Sequence, residues 1–156
     1  MTHLESIAPV TKTLDLDCPI EHAFDVFTRR LATWWPLVTH SCFANPAARV
    51  EFESWPGGHV WEVTPTGERA PWGTITEWRP PHGFSMTWHP GNDEAIATRL
   101  VVRFEATDRG RTRLSLTHDD WQRRGSDAAR TRDGYDTGWD TVLAGYAARA
   151  VTRKTG

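Results

Sequence analysis

Between residues 49 and 121 the chain offers six strand-like runs, 49–55, 59–64, 72–78, 84–89, 95–107 and 111–121, rich in Val, Thr, Phe and Trp. Most are divided by segments that favour reversal: Pro56-Gly57-Gly58, Pro80-Pro81-His82-Gly83, Pro90-Gly91-Asn92-Asp93 and Asp108-Arg109-Gly110. A parallel pair would need a crossover of roughly a dozen residues, so these runs predict an antiparallel meander. Ile96, Leu100, Val102 and Phe104 oppose Arg99, Arg103 and Glu105, and Leu114 and Leu116 oppose Arg113, Ser115 and Thr117. That period of two predicts a sheet with one buried face and one wet face.

The flanking segments supply helices. Residues 10–16 alternate, with Val10, Lys12, Leu14 and Leu16 on one side, and read as a further strand. Pro19 then suits the first helical position, Asp17 or Cys18 can cap, and Glu21 falls where the helix dipole favours an acid. Ile20, Phe24, Phe27 and Leu31 form a helical stripe that runs on to Trp34, Trp35 and Pro36. Residues 38–48 read as a loop with one short helical turn. A last helix, 126–153, carries Tyr135, Trp139, Val142, Leu143, Tyr146 and Ala150 on one stripe. Gly134, Gly138 and Gly145 interrupt it, each at about 1 kcal/mol against alanine, which predicts a bend or a close approach to the sheet. The order strand, helix, strands, helix predicts an α+β fold with helices on one face.

A length of 156 residues suits one domain, 1–156 with its core at 10–152. A net charge of -2, with basic residues scattered, argues against a nucleic-acid surface. The N-terminus lacks a leader pattern and no run approaches the roughly 18 apolar residues of a membrane span, so a cytoplasmic protein is expected. Cys18 and Cys42 form neither a CxxC motif nor a disulfide framework. The nine tryptophans are the unusual feature, because indole serves equally as core filler and as a wall for flat ligands.

Parity points several of these side chains toward one interior space. Phe84, Met86 and Trp88 share the more apolar side of their run; Leu100, Val102, Leu114 and Leu116 face the same way, as do Trp139 and Leu143 of the last helix. Trp61, Glu62 and Thr74 are candidates for the same space, although a bulge would turn such residues to the other face. His118 has the parity of Leu114 and Leu116, so its imidazole should point inward, either holding an aromatic N–H or hydroxyl or moving a proton. The structural role is favoured, since no carboxylate is spaced to orient the ring. Asp119 should turn outward and Asp120 should lie near the mouth. The seven histidines form neither an HExxH nor a Cys-His cluster, and no metal or other cofactor is implied.

Read in order, Pro19-Ile20-Glu21-His22-Ala23-Phe24, Trp34-Trp35-Pro36, Pro56-Gly57-Gly58, Gly73-Thr74-Ile75-Thr76-Glu77-Trp78, Thr87-Trp88, Thr117-His118 and Gly134-Tyr135 with Gly138-Trp139 resemble a known family. It is that of the homologues of the heat-shock protein 90 ATPase activator, within the START-like (SRPBCC, Bet v 1-like) superfamily. The resemblance implies a helix-grip fold, a curved antiparallel sheet wrapped around a long C-terminal helix. It also implies three functions. The leading one is a binder of a small apolar or aromatic ligand; the others are an aromatase/cyclase- or dehydratase-like enzyme using the same cavity and a co-chaperone-type interaction domain. A chaperone or a homodimer mate is the protein partner so implied, and neither nucleic acid nor membrane is.

Overall fold

The computed structural model describes residues 7–151. Strand β1 (Val10–Leu16) leads into helix α1 (Ile20–Phe27), and then come β2 (Arg49–Phe52), β3 (His59–Val63), β4 (Arg69–Arg79), β5 (Gly83–Trp88), β6 (Thr98–Ala106) and β7 (Thr112–Asp119). Helix α2 (Ala128–Val151) ends the described chain, preceded by a 3-10 segment at Trp121–Asp127. The sheet is antiparallel throughout, in the order β1-β7-β6-β5-β4-β3-β2. The six-run meander and the N-terminal strand are therefore present as expected, and the fold is the α+β helix-grip.

Helix α1 is shorter than its apolar stripe suggested. It stops at Phe27; Thr28 turns its hydroxyl back to the Phe24 carbonyl, and the Trp34 indole N–H donates to the Val26 carbonyl at 2.7 Å. The Phe24 carbonyl also keeps its helical bond from the Thr28 N–H, but with the Val26 carbonyl given to the Trp34 indole the Arg30 N–H turns to the Asp25 carbonyl, and the chain resumes as a 3-10 turn at Leu31–Thr33. At the other end neither Asp17 nor Cys18 caps: Pro19 occupies the cap position with extended backbone and no side-chain bond.

Two irregularities steer the sheet. Across β3 and β4, Val60 faces Gly73 while Trp61 faces Pro71, so Trp72 is an extra residue on the bulged strand. A second register shift falls between Ile75 and Glu77 against β5. Gly73 is needed beside the first, because a Cβ there would sit 1.7 Å from the Thr87 carbonyl oxygen.

The buried side of the sheet packs on α1 and the C-terminal half of α2. Phe24 and Phe27 meet Phe84 and Phe104 with ring centroids 5.5 to 6.5 Å apart, and Phe27 meets Tyr146 at 5.0 Å. The Tyr146 hydroxyl donates to the Ala23 carbonyl at 2.7 Å and thereby fixes α2 against α1. Lys12 of β1 reaches both Asp136 and Asp140 at 2.8 Å, holding the other half of α2 across the sheet edge.

The three glycines of α2 divide by environment. A Cβ on Gly145 would lie 3.1 Å from the Trp34 carbonyl oxygen, the close approach that the sequence suggested. Gly134 meets nothing within 4 Å, and Gly138 meets only the His40 ring at 3.9 Å. These two border open space. Accordingly Gly134→Ala should raise stability by about 0.5–1 kcal/mol through helix propensity, whereas Gly145→Leu should lower it by about 1–3 kcal/mol through overpacking. Denaturant unfolding of both variants against the parent checks the opposite signs.

Candidate functional site

The open space beside Gly134 and Gly138 is a cavity of about 520 Å³, walled by α2, by the 35–42 segment and by the end of β5. Its apolar wall is indole. Trp35, Trp88 and Trp139 form a triangle with ring centroids 5.6 to 6.0 Å apart, and Trp72 backs it at 5.0 Å from Trp35. Helical spacing brings Thr131, Gly134, Tyr135, Gly138, Trp139 and Val142 to the same opening.

The loop wall is held by a buried carboxylate. Glu62, on β3, is fully buried, and its two oxygens accept from the Cys42 amide at 2.8 Å, the Phe43 amide at 3.0 Å and the Trp72 indole at 2.9 Å. Burial alone would raise its pKa; those donors outweigh burial and bring the net shift below the ordinary carboxylate value. Glu62 therefore stays charged and hangs the Ser41–Phe43 backbone on the sheet. The Trp35 indole adds a second tie, donating to the His40 carbonyl at 2.7 Å.

The helical wall is held by His118. Its side chain is fully buried, Nδ1 lies 3.0 Å from the Trp139 indole nitrogen, and Nε2 lies 2.6 Å from the Thr98 hydroxyl. Indole only donates, so Nδ1 accepts and the proton must sit on Nε2, pointing at Thr98. The Thr98 hydroxyl in turn donates a hydrogen bond to the Trp88 carbonyl at 3.2 Å. One directed chain thus links Trp139, His118, Thr98 and Trp88, with no valence left on the imidazole for a ligand.

Burial first, and then the Arg124 charge, push the His118 pKa down to about 3. The imidazole is neutral at physiological pH and must be neutral to accept from Trp139. Because its folded pKa lies below the ordinary value of 6.5, His118 stabilises the fold above pH 6.5, and that contribution is lost as pH falls from 6.5 toward 3.

The cavity's polar groups are Thr39, His40, Ser41, Cys42, Thr131 and Tyr135. Burial and the Glu62 charge push the Cys42 thiol up to about 11, so it is no thiolate nucleophile near neutral pH. Tyr135 is likewise raised by burial and remains a phenol. Its oxygen accepts from the Trp88 indole at 3.2 Å. The His40 ring is held at Nδ1 by the Thr39 hydroxyl, 2.6 Å away, and lies against Gly138.

Of the residues that parity assigned to a ligand space, the structure places Trp88 and Trp139 in the cavity wall. Met86, Leu100, Val102, Leu114 and Leu116 point inward but are at most 1% exposed, because α1 and the Leu143–Tyr146 turn of α2 fill that part of the concave face. Leu143 belongs to this solid core, and Val142 faces the cavity in its place. His118 stands behind the wall rather than in it. Trp61 stacks on His59 and under the Arg69 guanidinium, 4.0 Å from its ring centroid, and Thr74 pairs with His59; both lie away from the cavity, beside the bulge that turns Trp72 inward. Asp120, expected at the mouth, lines a separate hollow with Arg99 and Arg123. Among the described residues no group of three potential metal ligands occurs, and no helix is long and apolar enough to cross a membrane.

Periodicity did not assign to the site Trp35, the 39–42 wall, Pro90 and Gly91, or, on α2, Thr131, Gly134, Tyr135, Gly138 and Val142. Signals for Trp35 and the two α2 glycines were present in Trp34-Trp35-Pro36 and in the spacing of Gly134 and Gly138, but neither carries an orientation without the sheet.

A seven-stranded sheet gripping its terminal helix, with an aromatic-rich interior, defines a protein of the SRPBCC type. Residues 17–148 match the family model of Activator of Hsp90 ATPase homolog 1-like protein, and the chain belongs to that family. The anthrahydroquino-gamma-pyrone synthase Txn09 is 32% identical, the match covering 94% of this chain and 98% of that one with a TM-score of 0.64. The self-sacrificing resistance protein CalC from Micromonospora echinospora (22% identity, 94% and 98% covered, TM-score 0.68) shares the fold. So does an HSP90 activator from Plasmodium falciparum (20% identity, 88% and 91% covered, TM-score 0.62). No curated protein matches the chain.

The directed chain through His118 has a measurable consequence. Unfolding free energy should fall by up to about 1.4 kcal/mol per pH unit as pH drops below 6.5. His118→Asn should lower stability at pH 7 by about 1–3 kcal/mol and flatten that slope, as measured by urea unfolding at pH 7, 6 and 5.

Proposed function

We propose that this protein binds a small, flat, apolar aromatic molecule in the cleft between α2 and the 35–42 segment. The observation that carries the reading is the wall itself: three tryptophans face a 520 Å³ space that two mid-helix glycines keep open. Each glycine sacrifices helix propensity where no backbone crowds it, which is sensible for a wall that must admit a guest. The volume lies within the usual range for small-molecule sites. The resemblance to a synthase whose named product is a fused aromatic supports the same ligand class.

Saturable quenching of tryptophan fluorescence by polycyclic aromatic probes tests this. Gly134→Leu, which projects a side chain into the cleft, should weaken that binding by about tenfold or more while the fold persists. Emission unchanged across such a panel would sink the binder and leave a protein-interaction role on a chaperone as the better reading.

A second reading is favoured by one feature, the convergence of Tyr135 and His40 on the cavity. In an aromatase/cyclase- or dehydratase-like reaction the phenol would donate to a developing oxyanion and the imidazole would move a proton. This reassigns the role first considered for His118, whose two ring nitrogens are engaged. If turnover of a reactive polyketone is found, His40→Gln should lower it by about 10²- to 10⁴-fold with little change in binding, whereas an equal loss of both would indicate a packing role.

A further inference from the structure

The hydrogen bonding of Tyr135 is lopsided in a way that specifies its guest. Trp88 can only donate through its indole nitrogen, so in the 3.2 Å contact the phenol oxygen is the acceptor and its own proton must go elsewhere. Among the described residues no hydrogen bond takes that proton. Tyr135 lines the cavity, and burial keeps it protonated. Its ring is clamped from behind: the Trp121 ring lies 5.4 Å away, the His118 ring meets its edge at 5.0 Å, and Trp121 itself is fully buried with its indole donating to the His118 carbonyl. The hydroxyl is therefore a fixed, half-satisfied donor at one edge of an indole-walled slot. A bond received by the phenol oxygen also polarises its O–H and strengthens what it donates.

The rest of the slot restricts the acceptor's scaffold. The parts of Trp35, Trp88 and Trp139 that border the cavity are electron-rich π surface, beside which an electron-poor ring is the better neighbour. A carbonyl conjugated into a fused ring supplies both an electron-poor face and an acceptor oxygen lying in the ring plane. We infer that the cleft selects a quinone-type fused aromatic, one carbonyl oxygen of which accepts the hydroxyl proton of Tyr135. The inference rests on the aromatic-binding reading above and adds to it the chemical class of the ligand and the residue that recognises it.

Equilibrium dialysis of the full chain with 9,10-anthraquinone and with anthracene, tricycles of nearly the same shape, separates the two levels. The parent should hold the quinone about five- to twentyfold more tightly than the hydrocarbon, as expected for one hydrogen bond to a preorganised donor. Tyr135→Phe keeps the ring between His118 and Trp121; it should abolish that preference while leaving anthracene affinity within about twofold. The infrared carbonyl stretch of bound anthraquinone should shift to lower frequency in the parent and stay at its apolar-solvent position in the variant. Equal affinities for the two probes in the parent, or a preference that survives Tyr135→Phe, would overturn the inference while leaving the aromatic site standing. Binding of neither probe would overturn the aromatic-binding reading itself, and the inference with it. Should the variant fail to fold, an unshifted carbonyl stretch in the parent is decisive against the proposal on its own.

Discussion

A tryptophan on the inner stripe of a gripped helix brings its N–H into a region without water, and that donor must find an acceptor there. Trp139 finds it in the Nδ1 of His118, and the bond decides much else. It sets the imidazole tautomer, which sets the direction of the Thr98 hydroxyl, which reaches the carbonyl of Trp88. Helix α2 is thereby registered on β7, β6 and the end of β5 at once. An unpaired donor in that position would bear the desolvation penalty of the indole nitrogen uncompensated, so the contact fixes specificity of packing more than it adds net stability.

With α2 so placed, its two halves meet different surroundings. The C-terminal half packs on α1 and a ring cluster of Phe27, Trp34 and Tyr146, where Gly145 lets backbones come close. The N-terminal half has only the 35–42 segment opposite, and Gly134 and Gly138 keep the two apart. That segment has little regular structure to hold it. Its position depends on Glu62, whose charge is tolerated in the interior because three donors converge on it. The cavity is thus a space between a helix pinned by a neutral imidazole and a loop pinned by a buried carboxylate.

Membership of the Activator of Hsp90 ATPase homolog 1-like family accounts for the framework and leaves the chemistry to the cavity. Proteins sharing this framework carry names as different as a synthase, a resistance protein and a chaperone activator. In this chain the opening carries an indole triangle, a phenol that receives a bond from one of those indoles, and an imidazole on the loop.

The number and direction of the strands, the terminal helix and the inward sense of Trp88, Trp139 and His118 were legible in the sequence, because periodicity and turn chemistry are local properties of a backbone. The inward leucines were legible too, but not that α1 would fill the space in front of them. The tertiary structure alone decided which inward residues border empty volume. It decided the outward turn of Trp61 and Thr74, since the bulge at Trp72 arises between two strands and not within either. It decided that Gly145 is crowded while Gly134 is not, a distinction set by the Trp34 carbonyl and the open cleft. It also decided the use of His118 and Glu62, whose partners lie 10 to 21 residues away along the chain. A side chain's orientation follows from its own strand or helix, but its role follows from the donors, acceptors and gaps that other elements bring to it.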